Sequence, residues 1–215
     1  MKKNKQENGC RELTLRQTAK YLQKHDNYII LTHASPDGDT LGSAFALYYA
    51  LKEIGKAACV ICPDVIPEKY YYFARQTDHV SRDDATVVAV DVADKRLLGG
   101  LEEEFGDIVD LNIDHHISNV RFAKNLFLDA DAAATAESMY ELLGIMKVNI
   151  NDVTAKALYT GIATDTGCFK YSNVTAKTHM IVSQLYEYNI DAPEINRIMF
   201  DTKSRKLLEL ERMVL

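Results

Sequence analysis

The sequence predicts an α/β protein with a mainly parallel sheet of about five strands, helices on both faces of the sheet and a helical C-terminal part. Two observations support this prediction. Short apolar runs without strict alternation, which are typical of strands buried on both faces, are separated by segments of helical period. The 215 residues contain no Gly/Ser-rich linker, repeat or low-complexity tract, so one α/β domain with a helical tail is the simplest organisation.

The individual elements are assigned from apolar periodicity and from turn residues. The first helix, for example, has Leu15, Ala19 and Leu22 on one face, and Gly55 ends the second helix. The strands are predicted over residues 28–32, 57–62, 86–90, 109–113 and 126–128. Helices are predicted over residues 13–26, 40–54, 67–75, 132–143, 152–164, 175–188, 192–199 and 203–214.

Composition argues against several classes of function. Lys and Arg total 25 and Asp and Glu total 31, which gives a net charge of −6. A mildly acidic chain has no general attraction for polyanions, so long duplex DNA is not an expected partner. No segment reaches the ~20 apolar residues of a membrane span, the charged N-terminus does not resemble a signal peptide, and four cysteines are too few for a disulfide scaffold. We therefore expect a cytoplasmic protein with no membrane partner.

Acidic and histidine residues cluster where predicted elements end. In open α/β sheets, ligands bind at the carboxyl ends of the strands. Three of the four clusters follow predicted strands, and the fourth lies at the end of the helix that begins near residue 152. In chain order, the clusters are His33-Asp37-Asp39, Asp91, Asp114-His115-His116 and Asp165.

The first cluster fits a site for a divalent metal. Pro36 and Gly38 favour a tight turn that brings Asp37 and Asp39 to neighbouring points, and imidazole together with carboxylate oxygens suits an ion such as Mn²⁺. Alternatively, Asp39 caps the helix that starts near residue 40, and Gly38 serves the turn. Capping does not account for His33 and Asp37 as well, so we favour a ligand role for the trio.

The other clusters also have two interpretations each. A buried Asp91 at the end of an apolar strand must be paired or coordinated, and the alternative is an exposed loop position. Because consecutive residues on an extended chain point to opposite sides, one of His115 and His116 can bind metal while its neighbours orient it or face a substrate. Asp165 opposes the helix dipole, which favours function over a simple helix end with Gly167 as its cap.

The motifs HASPDGD, VAVDVAD, NIDHH and ATDTG, in this order, resemble the four motifs of the DHH phosphoesterase family, which takes its name from the third. The match extends over about residues 28–175. Each motif is weak alone, but four in order at strand ends are highly specific. The first motif, with SPDGDTLGS, is similar to the branch that contains hydrolases of small oligoribonucleotides and pAp phosphatases.

The resemblance implies a site for two Mn²⁺ ions that share one bridging carboxylate. The first ion would be bound by His33, Asp37 and Asp91. The second would be bound by Asp39, Asp91, His115 and Asp165.

The resemblance also implies roles for residues outside the two ligand sets. His116 would lie beside the phosphoryl group, either as a general acid for the leaving oxygen or as a stabiliser of charge. Asp114 would support the two histidines, so that the catalytic residues would be His116, Asp114 and the bridging Asp91. Ser43 and Lys170 are assigned to substrate binding, and Lys170 stands where relatives often carry Arg.

The family further implies a domain organisation and a function. Residues 1–190 would form the DHH catalytic domain, and residues 191–215 a helical tail or the start of a linker to a C-terminal domain of DHHA1 type, whose glycine-rich motif is absent from these 215 residues. We expect a Mn²⁺-dependent phosphoesterase that hydrolyses short oligonucleotides or nucleotides such as pAp with a hydroxide activated by two metals. The alternatives are a hydrolase of cyclic dinucleotides, pApA or pyrophosphate, and a metal- or nucleotide-binding module with little turnover. The sequence leaves the oligomeric state open, and a homodimer is one alternative.

Overall fold

The sheet of this protein has seven strands in the computed structural model, which describes residues 6–7, 9–202 and 205–214. The strands are β1 (Gln6–Glu7), β2 (Cys10–Glu12), β3 (Tyr28–Leu31), β4 (Ala58–Ile61), β5 (Thr86–Val90), β6 (Leu111–Asp114) and β7 (Asn125–Leu128). Their order is β1-β2-β7-β6-β5-β3-β4, and all neighbours are parallel except β1 and β2. The predicted mainly parallel α/β fold is confirmed.

The five predicted strands correspond to β3–β7, and the sheet is larger than predicted by two strands. In β2, Arg11 and Glu12 pair with Asn125 and Leu126 of β7. No strand is predicted there from the sequence, because a polar strand of three residues at the edge of a sheet has no apolar run to mark it. The two additional strands lie at the edge remote from β4.

Eight α-helices lie within the described ranges: α1 (Leu15–Lys24), α2 (Gly38–Glu53), α3 (Glu102–Phe105), α4 (Thr135–Met146), α5 (Asp152–Asp165), α6 (Ala176–Leu185), α7 (Ala192–Asn196) and α8 (Arg205–Val214). Side-chain caps mark several starts, such as Thr14 before α1 and Asn151 before α5. The short helix predicted over residues 67–75 is a single 3₁₀ turn, Glu68–Tyr70, and a π-helical turn, Arg197–Asp201, follows α7. The 3₁₀ segment Lys95–Leu101 and α3 were not predicted, because Gly99 and Gly100 argue against a helix there.

Helices cover both faces of the sheet, as predicted, but unequally. Alternate residues of β3 enter two separate clusters: Tyr28 and Ile30 pack in the larger one, and Ile29 and Leu31 in the smaller one. The larger cluster contains apolar residues of α1, α2, α4, α5 and α6. The smaller cluster is closed by Leu98 of the 3₁₀ segment and Phe105 of α3. The larger cluster therefore lies on the face of the sheet that the long helices cover.

Two glycines let α2 and α5 approach each other closely. A Cβ atom on Gly42 would lie 2.4 Å from the carbonyl oxygen of Ala157, and one on Gly161 would lie 2.7 Å from Ala136 Cβ and 2.9 Å from Asp39 Oδ1. The close packing brings the first turn of α2 and the last turn of α5 to the same edge of the sheet. Within the described ranges, none of the helices combines the length and apolar character that crossing a bilayer requires.

Candidate metal centre

The predicted ligands meet at the carboxyl edge of the sheet, at the point where the strand order reverses. β3 lies between β4 and β5, so successive strands are added on opposite sides of it. Open α/β sheets bind ligands at such points. His33, Asp91 and His115 follow β3, β5 and β6, and α2 and α5 contribute Asp39 and Asp165 to the same edge.

The inner group of the centre consists of Asp39, His115 and Asp165. His115 Nε2 lies 3.3 Å from Asp165 Oδ2 and 3.8 Å from Asp39 Oδ2. This nitrogen is buried and has no hydrogen-bond partner among the described residues. The other ring nitrogen, Nδ1, lies 3.1 Å from the carbonyl oxygen of Ala132, an arrangement that orients the ring of a metal-binding histidine. The ring therefore directs a ligand atom into the space between two carboxylates.

Asp39 is fully buried in the first turn of α2 and is surrounded by donors. The main-chain N–H of Thr135 donates to its Oδ2 at 2.6 Å, and that of Ala136 donates to its Oδ1 at 2.9 Å. The Ser43 hydroxyl donates to Oδ1 at 3.1 Å. The first-turn amides of α4 have no partners within their own helix, so they suit an anion. Burial and the charge of Asp91 nevertheless raise the pKa of Asp39.

The outer group consists of His33 and Asp37. His33 Nε2 lies 3.6 Å from Asp37 Oδ2, and His33 Nδ1 lies 2.8 Å from the carbonyl oxygen of Ala34. Asp37 caps α2, since its Oδ1 accepts from the main-chain N–H groups of Asp39 and Thr40, each at 3.0 Å. Capping therefore falls on Asp37 rather than on Asp39, and Asp37 retains Oδ2 for the ligand group.

Asp91 lies between the two groups and presents one oxygen to each. Its Oδ1 is 3.7 Å from His115 Nε2, and its Oδ2 is 3.9 Å from His33 Nε2. The Thr135 hydroxyl donates to Oδ1 at 2.7 Å. Asp91 is buried rather than exposed in a loop, and its φ is +59°, an unfavourable backbone conformation of the kind that clusters at functional sites.

His116 lies beside His115, with 4.5 Å between the two ring centroids, and is held by Asp114. His116 Nδ1 lies 2.8 Å from Asp114 Oδ1, which also accepts from the main-chain N–H of His115 at 2.8 Å. The Asn119 side-chain amide donates to Asp114 Oδ2 at 2.6 Å and to Asn112 Oδ1 at 2.8 Å. The imidazole of His116 is 42% exposed, whereas Asp114 is fully buried. The motif thus leaves the imidazole of His116 partly exposed and holds it through the buried carboxylate of Asp114.

Burial and the neighbouring charges shift the pKa values of several residues of the centre. Burial opposes the charge on His33, but the carboxylate of Asp37 nearby outweighs this and raises the pKa of His33 to about 9. Burial also opposes the charge on His115, and the interaction with Asp165 contributes to raising its pKa to about 10. Burial and the charge of Asp37 raise the pKa of Asp91 to about 6. A cation bound between these groups would replace their protons, because metal ligands must be deprotonated.

Residues 27–162 match the family model described as the DHH family, N-terminal domain. The chain belongs to the DHH family. The predicted family is thereby confirmed, and the matched range contains the first three motifs, with His33, Asp37, Asp39, Asp91 and Asp114-His115-His116, whereas the fourth motif, at residues 163–167, lies just beyond it.

Several proteins are similar to this DHH-family chain. A Thermus thermophilus protein named bifunctional oligoribonuclease and PAP phosphatase NrnA is 34% identical over 178 residues, which cover 80% of this chain and 53% of the relative. The Bacillus subtilis protein of that name is 27% identical over 188 residues, which cover 85% of this chain and 59% of the relative. The crystal structure of an exopolyphosphatase-related protein from Bacteroides fragilis superimposes with a TM-score of 0.81 and 25% identity, and covers 91% of this chain and 62% of that one. The chain thus spans little more than half the length of these relatives.

The donor set of the DHH-family centre fits divalent metal ions. Three triads have ligand atoms within 4.8 Å of one another, and His115, whose buried Nε2 has no hydrogen-bond partner among the described residues, belongs to two of them. The triads are Asp91-His115-His116, His33-Asp37-Asp91 and Asp39-His115-Asp165. Imidazole nitrogens mixed with carboxylate oxygens are ligands that suit ions such as Mn²⁺.

The two residues assigned to substrate lie in different environments. Lys170 is exposed in the loop after α5, where a ligand can reach it. Ser43 is fully buried and its hydroxyl is used by Asp39, so in this arrangement it faces the carboxylate rather than a surface. A cavity of about 810 Å³ lies elsewhere, beside the edge strand β4, and its lining, which includes Phe45 and Ile61, is largely apolar.

Three residues of the centre were missed by the sequence analysis. Thr135 lies in the run AAATAE and Gly161 lies within a helix, and neither position has a local pattern that differs from ordinary packing. Asn119 did have a signal, because an amide five residues after Asp114 in a short loop can reach back to the strand end. The first two are positioned by tertiary contacts that bring three helices together.

Proposed function

We propose that this DHH-family chain is the catalytic part of a phosphoesterase that uses two Mn²⁺ ions. The observation that carries the proposal is the position of Asp91, whose Oδ1 faces His115 and whose Oδ2 faces His33. A carboxylate with one oxygen toward each ligand group is placed to bridge two ions. The four carboxylates of the two ligand sets carry a formal charge of −4, which two divalent ions balance.

Bound ions at this centre would supply an activated water as nucleophile and positive charge for the phosphoryl oxygens. The chain itself would hold the ligands in place and present His116. Its Nδ1 is held by Asp114, so its Nε2 is left to act on the substrate. A protonated Nε2 would either donate to the leaving oxygen or stabilise charge on the phosphoryl group. Lys170 would contact the substrate from the loop after α5, and Ser43 would support Asp39.

The substrates that we propose are short oligoribonucleotides and pAp. The relatives from Thermus thermophilus and Bacillus subtilis, named as oligoribonuclease and PAP phosphatase, support this choice. Phosphate esters of this kind suit a centre whose metal charge is focused at one edge of the sheet, because the chain as a whole is acidic and offers no general attraction for nucleic acid. A cytoplasmic location and a homodimer remain predictions.

The test is an assay of the purified chain with Mn²⁺ on pAp, a short RNA, pApA and pyrophosphate. We expect hydrolysis of pAp and of the RNA that disappears with a chelator and is absent from a parallel preparation of Asp91→Asn. Hydrolysis of pyrophosphate or pApA alone would replace the proposed substrate class. Binding of Mn²⁺ without hydrolysis of any substrate would indicate a binding module and contradict the proposal.

A further inference from the structure

We infer that Thr135 is a positioning residue. It fixes the carboxylate of Asp39, in the inner group, relative to the bridging carboxylate of Asp91. The inference deepens the proposed function, on which it rests, because it assigns a role in metal binding to a residue outside both ligand sets. It is carried by three hydrogen bonds from the first turn of α4 to two carboxylates.

The first turn of α4 holds Asp39 and Asp91 at the same time. The main-chain N–H of Thr135 donates to Asp39 Oδ2 at 2.6 Å, and the N–H of Ala136 donates to Asp39 Oδ1 at 2.9 Å. The Thr135 hydroxyl donates to Asp91 Oδ1 at 2.7 Å. Thr135 and Asp39 are fully buried and Asp91 is 2% exposed, so water competes little for these bonds. A single residue therefore links a carboxylate of α2 to the carboxylate that follows β5.

The first-turn N–H groups of α4 are available to bind Asp39 because the helix has no side-chain cap of its own. Ala134 occupies the N-cap position and has no side chain that can accept a hydrogen bond. The first-turn amides would otherwise be unsatisfied and buried, which is costly. Asp39 supplies the acceptor from another helix. The position of α4 and the position of Asp39 are thus fixed together.

The hydroxyl of Thr135 determines how the Asp91 carboxylate is rotated. Oδ1, the oxygen that it donates to, lies 3.7 Å from His115 Nε2, and the other oxygen, Oδ2, faces His33 at 3.9 Å. Among the described residues, the Thr135 hydroxyl is the one group that donates a hydrogen bond to this carboxylate, and the nearest ring nitrogens of His33, His115 and His116 lie 3.6–3.9 Å from it. Without it, the carboxylate is free to turn about its Cβ–Cγ bond, and the assignment of one oxygen to each group is lost.

Main-chain and side-chain contributions can be separated by substitution. Thr135→Val keeps the N–H, the shape and the β-branch and removes only the hydroxyl, whereas Thr135→Ser keeps the hydroxyl and removes the methyl. Thr154→Val is a matched control, since Thr154 is also buried in the first turn of a helix, α5, and its hydroxyl donates to Asn151 Oδ1 at 3.0 Å. The control removes an equivalent hydrogen bond from a helix start that contacts neither carboxylate.

The experiment measures Mn²⁺ binding to the full 215-residue chain by calorimetry without substrate, and thermal unfolding in EDTA. We expect Thr135→Val to weaken Mn²⁺ binding about 10–100-fold, the usual effect of losing a hydrogen bond that orients a ligand. Thr135→Ser should stay within about 3-fold of wild type, as should Thr154→Val. If circular dichroism shows that the valine variant does not fold, Thr135→Ala takes its place with the same expected loss.

Three results would overturn the inference. Equal Mn²⁺ affinity of Thr135→Val and wild type would mean that the hydroxyl does not position Asp91. Equal losses in the Ser and Val variants would assign the effect to packing of the methyl group. Failure of the wild-type chain to bind Mn²⁺ would overturn the inference together with the metal-dependent function. Binding without hydrolysis would contradict the proposed function alone, and the comparison of the variants would still decide the role of Thr135.

Discussion

The inner group is held by the packing of three helices, whereas the outer group is held by one loop and the helix that it caps. Asp39 has no exposed surface and receives hydrogen bonds from α2 and α4, and Gly161 of α5 lies against its Oδ1. The Asp37 side chain is 52% exposed, and the donors that it accepts from belong to its own helix. Similar ligand atoms therefore depend on the fold to different degrees. Changes in the inner group should disturb both stability and metal binding, and changes in the outer group should mainly affect metal binding.

The largest expected effect is that of a substitution that affects both groups at once. Asp91→Asn removes negative charge from both ligand sets, so it should lower Mn²⁺ occupancy and reduce hydrolysis by at least the ~10²–10³-fold that a single transition-state donor contributes. Metal analysis and rates at saturating Mn²⁺ provide the test. Asp94→Asn is the control, because Asp94 lies in the same loop and pairs with Arg96 instead. An unchanged Mn²⁺ content in Asp91→Asn would contradict this prediction, because it would mean that the two groups do not share Asp91 as a bridge.

His116 belongs to neither group, and its substitution should separate turnover from metal binding. His116→Ala should leave Mn²⁺ content nearly intact and slow hydrolysis by about 10²–10⁴-fold, as expected for one acid–base group. The measurement is metal content beside kcat for the same preparation. Loss of metal in this variant, with retention in Asp91→Asn, would reverse the roles assigned to the two residues.

The difference between the groups should also appear in the stability of the metal-free protein. Asp39→Ala leaves the buried N–H groups of Thr135 and Ala136 without an acceptor, at about 1–3 kcal/mol each, so a loss of roughly 2–6 kcal/mol is expected. Asp37→Ala removes a helix cap and should cost about 1 kcal/mol. Urea unfolding in EDTA measures both. Equal losses would show that the inner group is no more part of the core than the outer group.

A further difference is a change of stability with pH in the metal-free protein. The pKa values of His33 and His115 are raised from 6.5 to about 9 and about 10, and that of Asp91 is raised from 3.8 to about 6. A raised pKa stabilises the fold below the unfolded-state value, and this contribution is lost as the pH rises through the folded-state value. The metal-free protein should therefore lose stability as the pH rises from about 6.5 towards 10, mainly through the histidines.

Mn²⁺ should reverse this trend, because the ion replaces the protons that the ligands release. Thermal unfolding with and without Mn²⁺, at about pH 6.5 and about pH 8.5, should show the larger stabilisation by the metal at the higher pH. An equal shift at both values would mean that metal and protons do not compete for these residues.

The sequence predicts the outer group and the ligands at the strand ends more completely than it predicts the residues that surround the inner group. His33, Asp91 and His115 are marked by charge at the end of apolar strands, a local pattern that the topology of a parallel sheet converts into one site. Thr135 is 44 residues from Asp91 in the chain and is an ordinary residue in an alanine-rich segment, so no local pattern connects the two. The strands β1 and β2 escaped prediction for a related reason, since pairing with β7 rather than apolar character defines β2.

The account depends most on Asp91 as a bridge, and anomalous diffraction from crystals grown with Mn²⁺ tests it directly. We predict two manganese peaks about 3.5–4 Å apart. One peak should contact His33 and Asp37, the other should contact His115 and Asp165, and the carboxylate of Asp91 should bind both. A single peak confined to one group, or two peaks with Asp91 bound to neither, would contradict the account.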